Sequence, residues 1–250
     1  MENVMQELYN QYLKINKMGW IKSKRNGPGG IGYTFETLLN KEEDTFPLAD
    51  YNGIEIKTMR KNSKRVLHLF NLTPDGDYLF PIKRVLDIMG YPSKHDRNYK
   101  VFMMNVNARD YTMLGYSKRA KLYVNHEERK IDLIAETSNG KDLNVNISWS
   151  FDSIKERLDW KLKHLMFVFA DNKFIGDSEY FKYSEAYFYD FRDFNTFLLM
   201  IEIGVITITF NIDFFRSGRR MGQVYDHGTC FSISYGYIGF LYKRINIENK

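Results

Sequence analysis

Asp50, Glu55 and Lys57 stand close together in the stretch Asp-Tyr-Asn-Gly-Ile-Glu-Ile-Lys, and this stretch is the part of the chain best equipped for chemistry. Asn52-Gly53 is a turn signal, and from Ile54 onward apolar and polar residues alternate with the two-residue period of a half-buried strand. Ile54 and Ile56 then face a core, while Glu55 and Lys57 project together from the opposite face. With Asp50 leading into the strand, two carboxylates and an ammonium share one small volume. That set suits metal-assisted hydrolysis of a phosphodiester. Mg²⁺ takes oxygen ligands and is usually held by one or two carboxylates plus substrate phosphate and water. Asp50 and Glu55 are the candidate ligands, with the Ile56 carbonyl as a third, and Lys57 can orient the attacking water and offset charge on the phosphoryl group. The same residues also fit a simpler reading, an exposed strand edge with a solvated Glu–Lys pair.

The elements before and after this strand must position it. Residues 1 to 17 carry Val4, Leu8, Tyr12 and Ile15 at helical spacing, and Gly19-Trp20 ends that helix. Lys24 and Arg25 then run into a glycine-rich segment, Gly27 to Gly32, which lacks the Gly-Lys-Ser/Thr ending of a nucleotide-binding loop. Such a segment ahead of a helix either brings backbone N–H groups to a phosphate or serves as a flexible connection. A helix from Thr34 to about Glu43 should bury Phe35, Leu38 and Leu39, with Glu36 at the border of the apolar face. After the strand over 54 to 58 comes a basic turn with Arg60, Lys61, Lys64 and Arg65, and then a strand over Val66 to Phe70. Together they read as a hairpin beside the site, its cations either following a nucleic-acid backbone or simply solvated.

Further along, residues 74 to 98 are turn-rich around one apolar segment, Val85 to Met89. Strands are expected over 100 to 105, 120 to 124 and 131 to 135, and again where Val145, Ile147 and Trp149 alternate. The turn at 125 to 128 places His126 on the surface. Ser150 is a candidate N-cap for a helix with Ile154, Leu158 and Leu162, followed by a buried strand from Leu165 to Ala170. A helix over Asp190 to Ile203 stopped by Gly204, a strand over Val205 to Phe210 and a strand over Cys230 to Ser234 complete the pattern. Helices alternating with both alternating and fully apolar strands describe an α/β fold with a mixed sheet. Between the last two strands, Arg216, Arg219 and Arg220 precede Asp226-His227-Gly228-Thr229, a loop able to reach base edges in a major groove or to be a polar hairpin end.

Composition narrows the function classes. The 250 residues are 44% hydrophobic and carry 36 Lys and Arg against 31 Asp and Glu, a net charge of +5 that favours a polyanionic partner. The single cysteine, Cys230, excludes an intramolecular disulfide and a cysteine-based zinc site, and is in keeping with a cytoplasmic protein. The most apolar stretch, Phe197 to Phe210, is interrupted by Glu202 and Gly204 and is too short to span a bilayer; no signal peptide opens the chain.

Longer motifs tie these parts together. Lys24-Arg25-x-Gly27-x-x-Gly30-Ile31-Gly32-x-Thr34-Phe35-Glu36-x-Leu38-Leu39, Lys41-Glu42-Glu43-Asp44 and Asp50-x-x-x-Ile54-Glu55-Ile56-Lys57-Thr58 are followed by Trp149-Ser150-Phe151-Asp152-Ser153 and Leu158-x-x-Lys161-Leu162-Lys163. Tyr180-x-Lys182-Tyr183 and Ser217-Gly218-x-x-x-Gly222-x-x-x-Asp226-His227-Gly228-Thr229-x-Phe231 complete the series. In this order the motifs resemble the MvaI/BcnI group of Type II restriction endonucleases, related to the mismatch-repair nicking enzyme MutH and to Sau3AI. Residues 74 to 115 match poorly, and Ala49 stands where many relatives have proline.

The resemblance implies a PD-(D/E)xK restriction-endonuclease-like core, a mixed sheet flanked by helices, plus a second, DNA-recognition lobe. It implies a catalytic lobe over 1–175, with 74–115 a candidate contributor to recognition, and a recognition lobe over 176–250. Asp50, Glu55 and Lys57 would be the catalytic trio, Glu36 the accessory helix carboxylate and Mg²⁺ the cofactor. The substrate would be double-stranded DNA, cut by a monomer whose genetic partner is a cognate methyltransferase. Lys24, Arg25, Lys61, Lys64 and Arg65 would hold the backbone, Asp226 and His227 would read bases, and Arg216, Arg219, Arg220 and Thr229 would line the same interface. A short target of the CCNGG type is expected, with GATC next. A MutH-like nicking enzyme and an inactive DNA-binding relative are the alternatives, the latter disfavoured by the complete set of site residues.

Overall fold

The structure, a computed structural model, describes residues 1–39, 49–62, 66–77 and 79–246. In chain order it runs α1 (Glu2–Lys17), β1 (Ile21–Lys22), α2 (Gly30–Leu38), β2 (Ile54–Arg60), β3 (Val66–Asn71), α3 (Leu79–Met89), β4 (Tyr91–Pro92) and β5 (Lys100–Val106). Four strands follow, β6 (Thr112–Leu114), β7 (Lys118–Asn125), β8 (Lys130–Thr137) and β9 (Ser148–Ser150). Then come α4 (Phe151–Lys161), β10 (His164–Ile175), β11 (Ser178–Phe191), α5 (Phe194–Glu202), β12 (Ile206–Phe214), β13 (Val224–Asp226), β14 (Cys230–Ser234), α6 (Ile238–Leu241) and β15 (Tyr242–Ile245). No helix among the described residues is long and apolar enough to cross a membrane.

The chain divides into two units, and neither is a single stretch of sequence. The first comprises Met1–Arg65, Leu158–Arg192 and Gly239–Lys250; the second Val66–Arg157 and Asp193–Ile238. The expected division into 1–175 and 176–250 is therefore corrected. β11 and β15 complete the sheet that contains β2, so residues 178–191 and 242–245 return to the first unit, while 66–157 leave it.

In the first unit the sheet order is β1-β11-β10-β2, with β15 also paired to β11. β10 lies parallel to β2 and antiparallel to β11, which makes the sheet mixed as expected. One face carries Ile54 and Ile56 of β2 and Met166, Val168 and Ala170 of β10 against Met5, Leu8, Tyr12 and Ile15 of α1 and Ile31 and Phe35 of α2. Leu8, Phe35 and Ile54 are wholly excluded from solvent, and each such burial contributes about 1.5–3 kcal/mol. Met5, with Val4 only partly covered, takes the first core position of α1. On the other face Leu165 and Phe167 are fully buried, and the Tyr242 hydroxyl donates to the Leu162 carbonyl at 3.2 Å.

In the second unit every pairing is antiparallel. One sheet has the order β3-β14-β12-β5-β4 with β13 on β12, the other β6-β7-β8-β9. Trp149, Phe210 and Phe231 meet at its centre, and the Trp149 indole donates to the Leu72 carbonyl at 2.9 Å.

Several local expectations differ from the structure among the described residues. β2 and β3 do not form a hairpin: β2 pairs with β10 in one sheet and β3 with β14 in the other, so the basic segment between them links two units. α2 begins at Gly30 rather than Thr34, because the glycines themselves enter its first turn. Val145 and Ile147 are buried but not in a strand, since Asn144 and Asn146 adopt left-handed φ values of 49° and 51°. Residues 190 and 191 end β11, and the helix starts only after Asp193, whose carboxylate accepts from Thr196 N at 2.8 Å as a true N-cap.

Candidate active site

The Asn-Gly turn sets the geometry. Tyr51 and Ile54 exchange backbone hydrogen bonds at 2.9 and 2.8 Å, and Asn52 and Gly53 both hold left-handed φ, at 44° and 88°. This tight two-residue turn folds the chain back on itself and lays Asp50 alongside β2. Among the described residues β2 is an edge strand, with β10 on one side only. On the open side the Ile56 N–H needs an acceptor, and Asp50 Oδ2 supplies it at 3.0 Å. Sequence alternation thus places Glu55 and Lys57 correctly on one face, but that face is not solvated.

Glu55 is 2% exposed. Its Oε1 accepts from Lys57 Nζ at 2.5 Å, and Lys161 Nζ lies 3.4 Å from the same oxygen. Its Oε2 is buried and has no hydrogen-bond partner among the described residues. Burial, foremost, pushes the Glu55 carboxyl above the usual range; Lys57 and Lys161 pull it back, and nearby Asp50 pushes it further up. An ionised carboxylate oxygen left without a partner in so dry a place is costly unless a cation completes it. Lys161 stands in one of the motifs that carry the family resemblance but has no site role in the sequence reading. It lies between buried Leu158 and Leu162 in the last turn of α4, a helix whose start is fixed by Ser150 Oγ accepting from Ser153 N at 3.2 Å.

Glu36 approaches from the other side of the strand. α2 packs on the face that carries Ile54, Ile56 and Thr58, and a Cβ on Gly32 would meet Thr58 Oγ1 at 3.4 Å and Glu36 Oε1 at 3.6 Å. The bare Cα of Gly32 lets helix and strand settle together, with the Glu36 carboxylate close to Thr58. At the far end of β2, Arg60 clasps Glu179 with two hydrogen bonds of 2.7 and 2.8 Å and donates to the Pro28 and Gly27 carbonyls at 2.9 and 3.4 Å. The glycine-rich segment is therefore tied to the strand that bears Glu55 and Lys57, and is not a free connection. Gly30 is obligatory there, since a Cβ would collide with the Arg25 carbonyl and with Ser23 Oγ.

A buried carboxylate on β2 with a second, Asp50, laid alongside it and lysines beside them is accompanied by a match along most of the sequence. The MvaI/BcnI restriction endonuclease family model covers residues 10–242. The chain belongs to that family. It is a sequence-specific deoxyribonuclease of the Type II restriction class. A solved structure described as the restriction endonuclease MvaI in complex with its cognate DNA substrate is 27% identical over 99% of this chain and 100% of its own, with a TM-score of 0.89. MvaI in the absence of DNA, 24% identical over 99% of both chains, shares the fold with a TM-score of 0.66. No curated protein matches the sequence.

The remaining candidate residues of this MvaI/BcnI family member separate into distinct groups. Lys24 and Arg25 are exposed, Arg25 stacking on Tyr33 at 4.0 Å. Lys61 is already bound to Glu185 at 2.6 Å and lies 3.7 Å from Asp171, so as a backbone contact it would have to leave both. Lys64 and Arg65, with Lys41 to Asp44, lie outside the described residues. In the second unit Arg216 is half exposed and bonded to Asp213 at 3.0 Å, while Arg219 and Arg220 are exposed, Arg220 over Phe215.

Two of the expected interface residues hold the loop together. Asp226 is buried, its carboxylate accepting from Gly228 N at 2.9 Å and from the Thr229 hydroxyl at 3.2 Å. Thr229 is 1% exposed and gives its hydroxyl to that bond. A short polar side chain satisfying its own turn is the usual use of Asp in loops. The result is an exposed His227, steadied edge to face by Tyr225 at 4.3 Å and by its own N–H on the Asn211 carbonyl.

Proposed function

We propose that this restriction endonuclease hydrolyses phosphodiester bonds in double-stranded DNA with Mg²⁺ held by Asp50, Glu55 and the Ile56 carbonyl. Restriction endonucleases generally need a divalent metal, and the observation that carries the assignment is Glu55 Oε2, a buried carboxylate oxygen with no partner among the described residues. The donor set is all oxygen, as Mg²⁺ requires. In a strand a residue's N–H and C=O project to the same side, so Asp50, which accepts from Ile56 N, shares the open edge with the Ile56 carbonyl. When bound, the ion supplies Lewis acidity to the phosphoryl oxygen and acidifies the attacking water. Lys57 orients that water and offsets transition-state charge. Glu36 is the accessory carboxylate, acting through the strand edge or the water that reaches it.

The first unit is the catalytic lobe in this reading and the second the lobe that reads sequence. Lys24 and Arg25 hold phosphate beside the α2 N-terminus, and His227 with Arg216, Arg219 and Arg220 faces the bases. The target is a short site of the CCNGG type, protected by a cognate methyltransferase. A supercoiled plasmid incubated with Mg²⁺ is expected to be cut at fixed positions, and not at all in EDTA; cutting that persists in EDTA refutes the metal assignment.

Among the described residues one chain presents one such site, so a monomer cuts one strand per encounter. Nicked circles are expected to precede linear DNA in a plasmid time course, with light scattering giving the monomer mass. Linear product without a nicked intermediate, from a stable dimer, rejects this.

Reading and holding separate experimentally. His227→Ala is expected to lose about 1–3 kcal/mol of discrimination at one base pair, whereas Lys24→Ala weakens all sequences alike and lowers the salt slope by about one unit. Competition binding in Ca²⁺ against single-base variants of the target distinguishes the two, and equal losses on every variant for His227→Ala would show that it does not read.

A further inference from the structure

The active-site carboxylate Glu55 holds two ammonium groups on one oxygen, Lys57 at 2.5 Å and Lys161 at 3.4 Å. One carboxylate neutralises one of them. With Asp50 included the four groups balance in charge, so a divalent cation taken up by the two acids would leave the two ammoniums in excess. Lys161 is not there by accident of a floppy chain end. It occupies the last turn of α4, where a helix favours a cation, between Leu158 and Leu162, which are 1% and 0% exposed. It is itself only 23% exposed. A partly covered, helix-mounted ammonium aimed at an acid that already has a closer partner is poised for another anion.

We propose that Lys161 is a second catalytic cation that moves from Glu55 to a non-bridging oxygen of the scissile phosphate when DNA binds. This rests on the assignment of Glu55 as a metal ligand. The two ammoniums and a divalent cation repel one another across a single carboxylate. Once Glu55 is committed to the ion, Lys57 and Lys161 must turn to the anions that substrate brings, and Lys57 is nearest the attacking water in the proposed arrangement. Lys161 is left for the phosphate. Its ammonium has three donors and, being a point charge, can exchange one oxygen partner for another without a fixed fork geometry. Glu55 thus stores the lysine in place before substrate arrives, which keeps a positive charge inside the protein from being left unpaired.

The proposal separates metal binding from chemistry. If Lys161 serves the phosphate, Lys161→Met leaves Mn²⁺ affinity unchanged or tighter, because a repelling charge is gone. Single-turnover cleavage falls about 10- to 100-fold, the range for loss of a charge-stabilising donor, and Lys161→Arg recovers part of it. Mn²⁺ binding to the DNA-free protein is read from loss of the free-ion electron paramagnetic resonance signal, cleavage by rapid quench, and folding by the thermal midpoint. Mn²⁺ affinity falling in step with cleavage would make Lys161 only a support for Glu55, and undiminished cleavage would remove it from the reaction; either overturns the proposal. Asp50→Asn, run alongside, keeps this failure distinct: cleavage by that variant overturns the metal site itself, while an inactive Asp50→Asn beside a fully active Lys161→Met overturns the role of Lys161 alone.

Discussion

Asp50→Asn is expected to lower cleavage by at least about 10³-fold while the protein folds normally and binds its target in Ca²⁺ within a few fold of wild type. The expectation follows from what Asp50 does locally. Its Oδ2 accepts from Ile56 N, and an asparagine in the same rotamer keeps an acceptor oxygen there, so the turn and the edge of β2 survive. What is lost is a full negative charge beside Glu55, the feature that attracts a hard cation. Lys57→Ala is expected to cost about 10²–10³-fold, the scale of removing one preorganised charge-stabilising donor. Single-turnover assays over a range of Mg²⁺ separate the two: excess metal restores part of the Asp50→Asn rate and none of the Lys57→Ala rate. Near wild-type cleavage by either variant would remove that residue from the site.

The second large effect runs in opposite directions for activity and stability. Glu55→Gln is expected to be inactive yet more stable than wild type in EDTA. Burial holds the Glu55 carboxyl above its ordinary value of 4.5, with Asp50 adding to the rise. The folded state therefore binds a proton more tightly than the unfolded chain does. By linkage this favours folding at pH below the unfolded value, and the advantage is lost as pH rises from there through the folded value. At neutral pH the metal-free enzyme carries the cost of the ionised carboxylate. Glutamine removes the charge at constant shape, with an expected gain of about 0.5–2 kcal/mol, or roughly 2–4 °C per kcal/mol for a protein of this size. The pH dependence of the wild-type thermal midpoint in EDTA should show the matching slope, stability falling above the ordinary carboxylate range, and Glu55→Gln should flatten it. A Glu55→Gln protein that melts below wild type at neutral pH would show that the two lysines outweigh burial.

Much of this site was legible because it is local. Asn52-Gly53 dictates a turn, the alternation from Ile54 to Lys57 dictates which side chains share a face, and Ser150 announces its helix. What the residues could not reveal depends on partners distant in sequence. Alternation separates two faces but does not say that both are covered, so Glu55 reads as solvated until Lys161 and Tyr242 are brought to it and Leu165 beside it. The Arg60 to Arg65 turn looks like a hairpin because both flanking strands are short and apolar, and only the pairing of β2 with β10 and β3 with β14 shows otherwise. Asp226 and Thr229 have the right chemistry to read a base, yet each satisfies the other across the turn, a pairing that residue types alone do not announce. The glycine-rich segment is the converse case. Its composition allows a loose connection, and Arg60 with Glu179, remote in sequence, fixes it instead.

The most direct test of the central claim is to digest an unmethylated plasmid library with wild-type protein and with Asp50→Asn, in Mg²⁺, and to sequence every new end. The site described for Asp50, Glu55 and Lys57 predicts that wild-type ends map to one short sequence with a fixed cut position, and that the variant yields none above the no-enzyme control. Ends scattered without a common sequence, or the same fixed ends from Asp50→Asn, would contradict it.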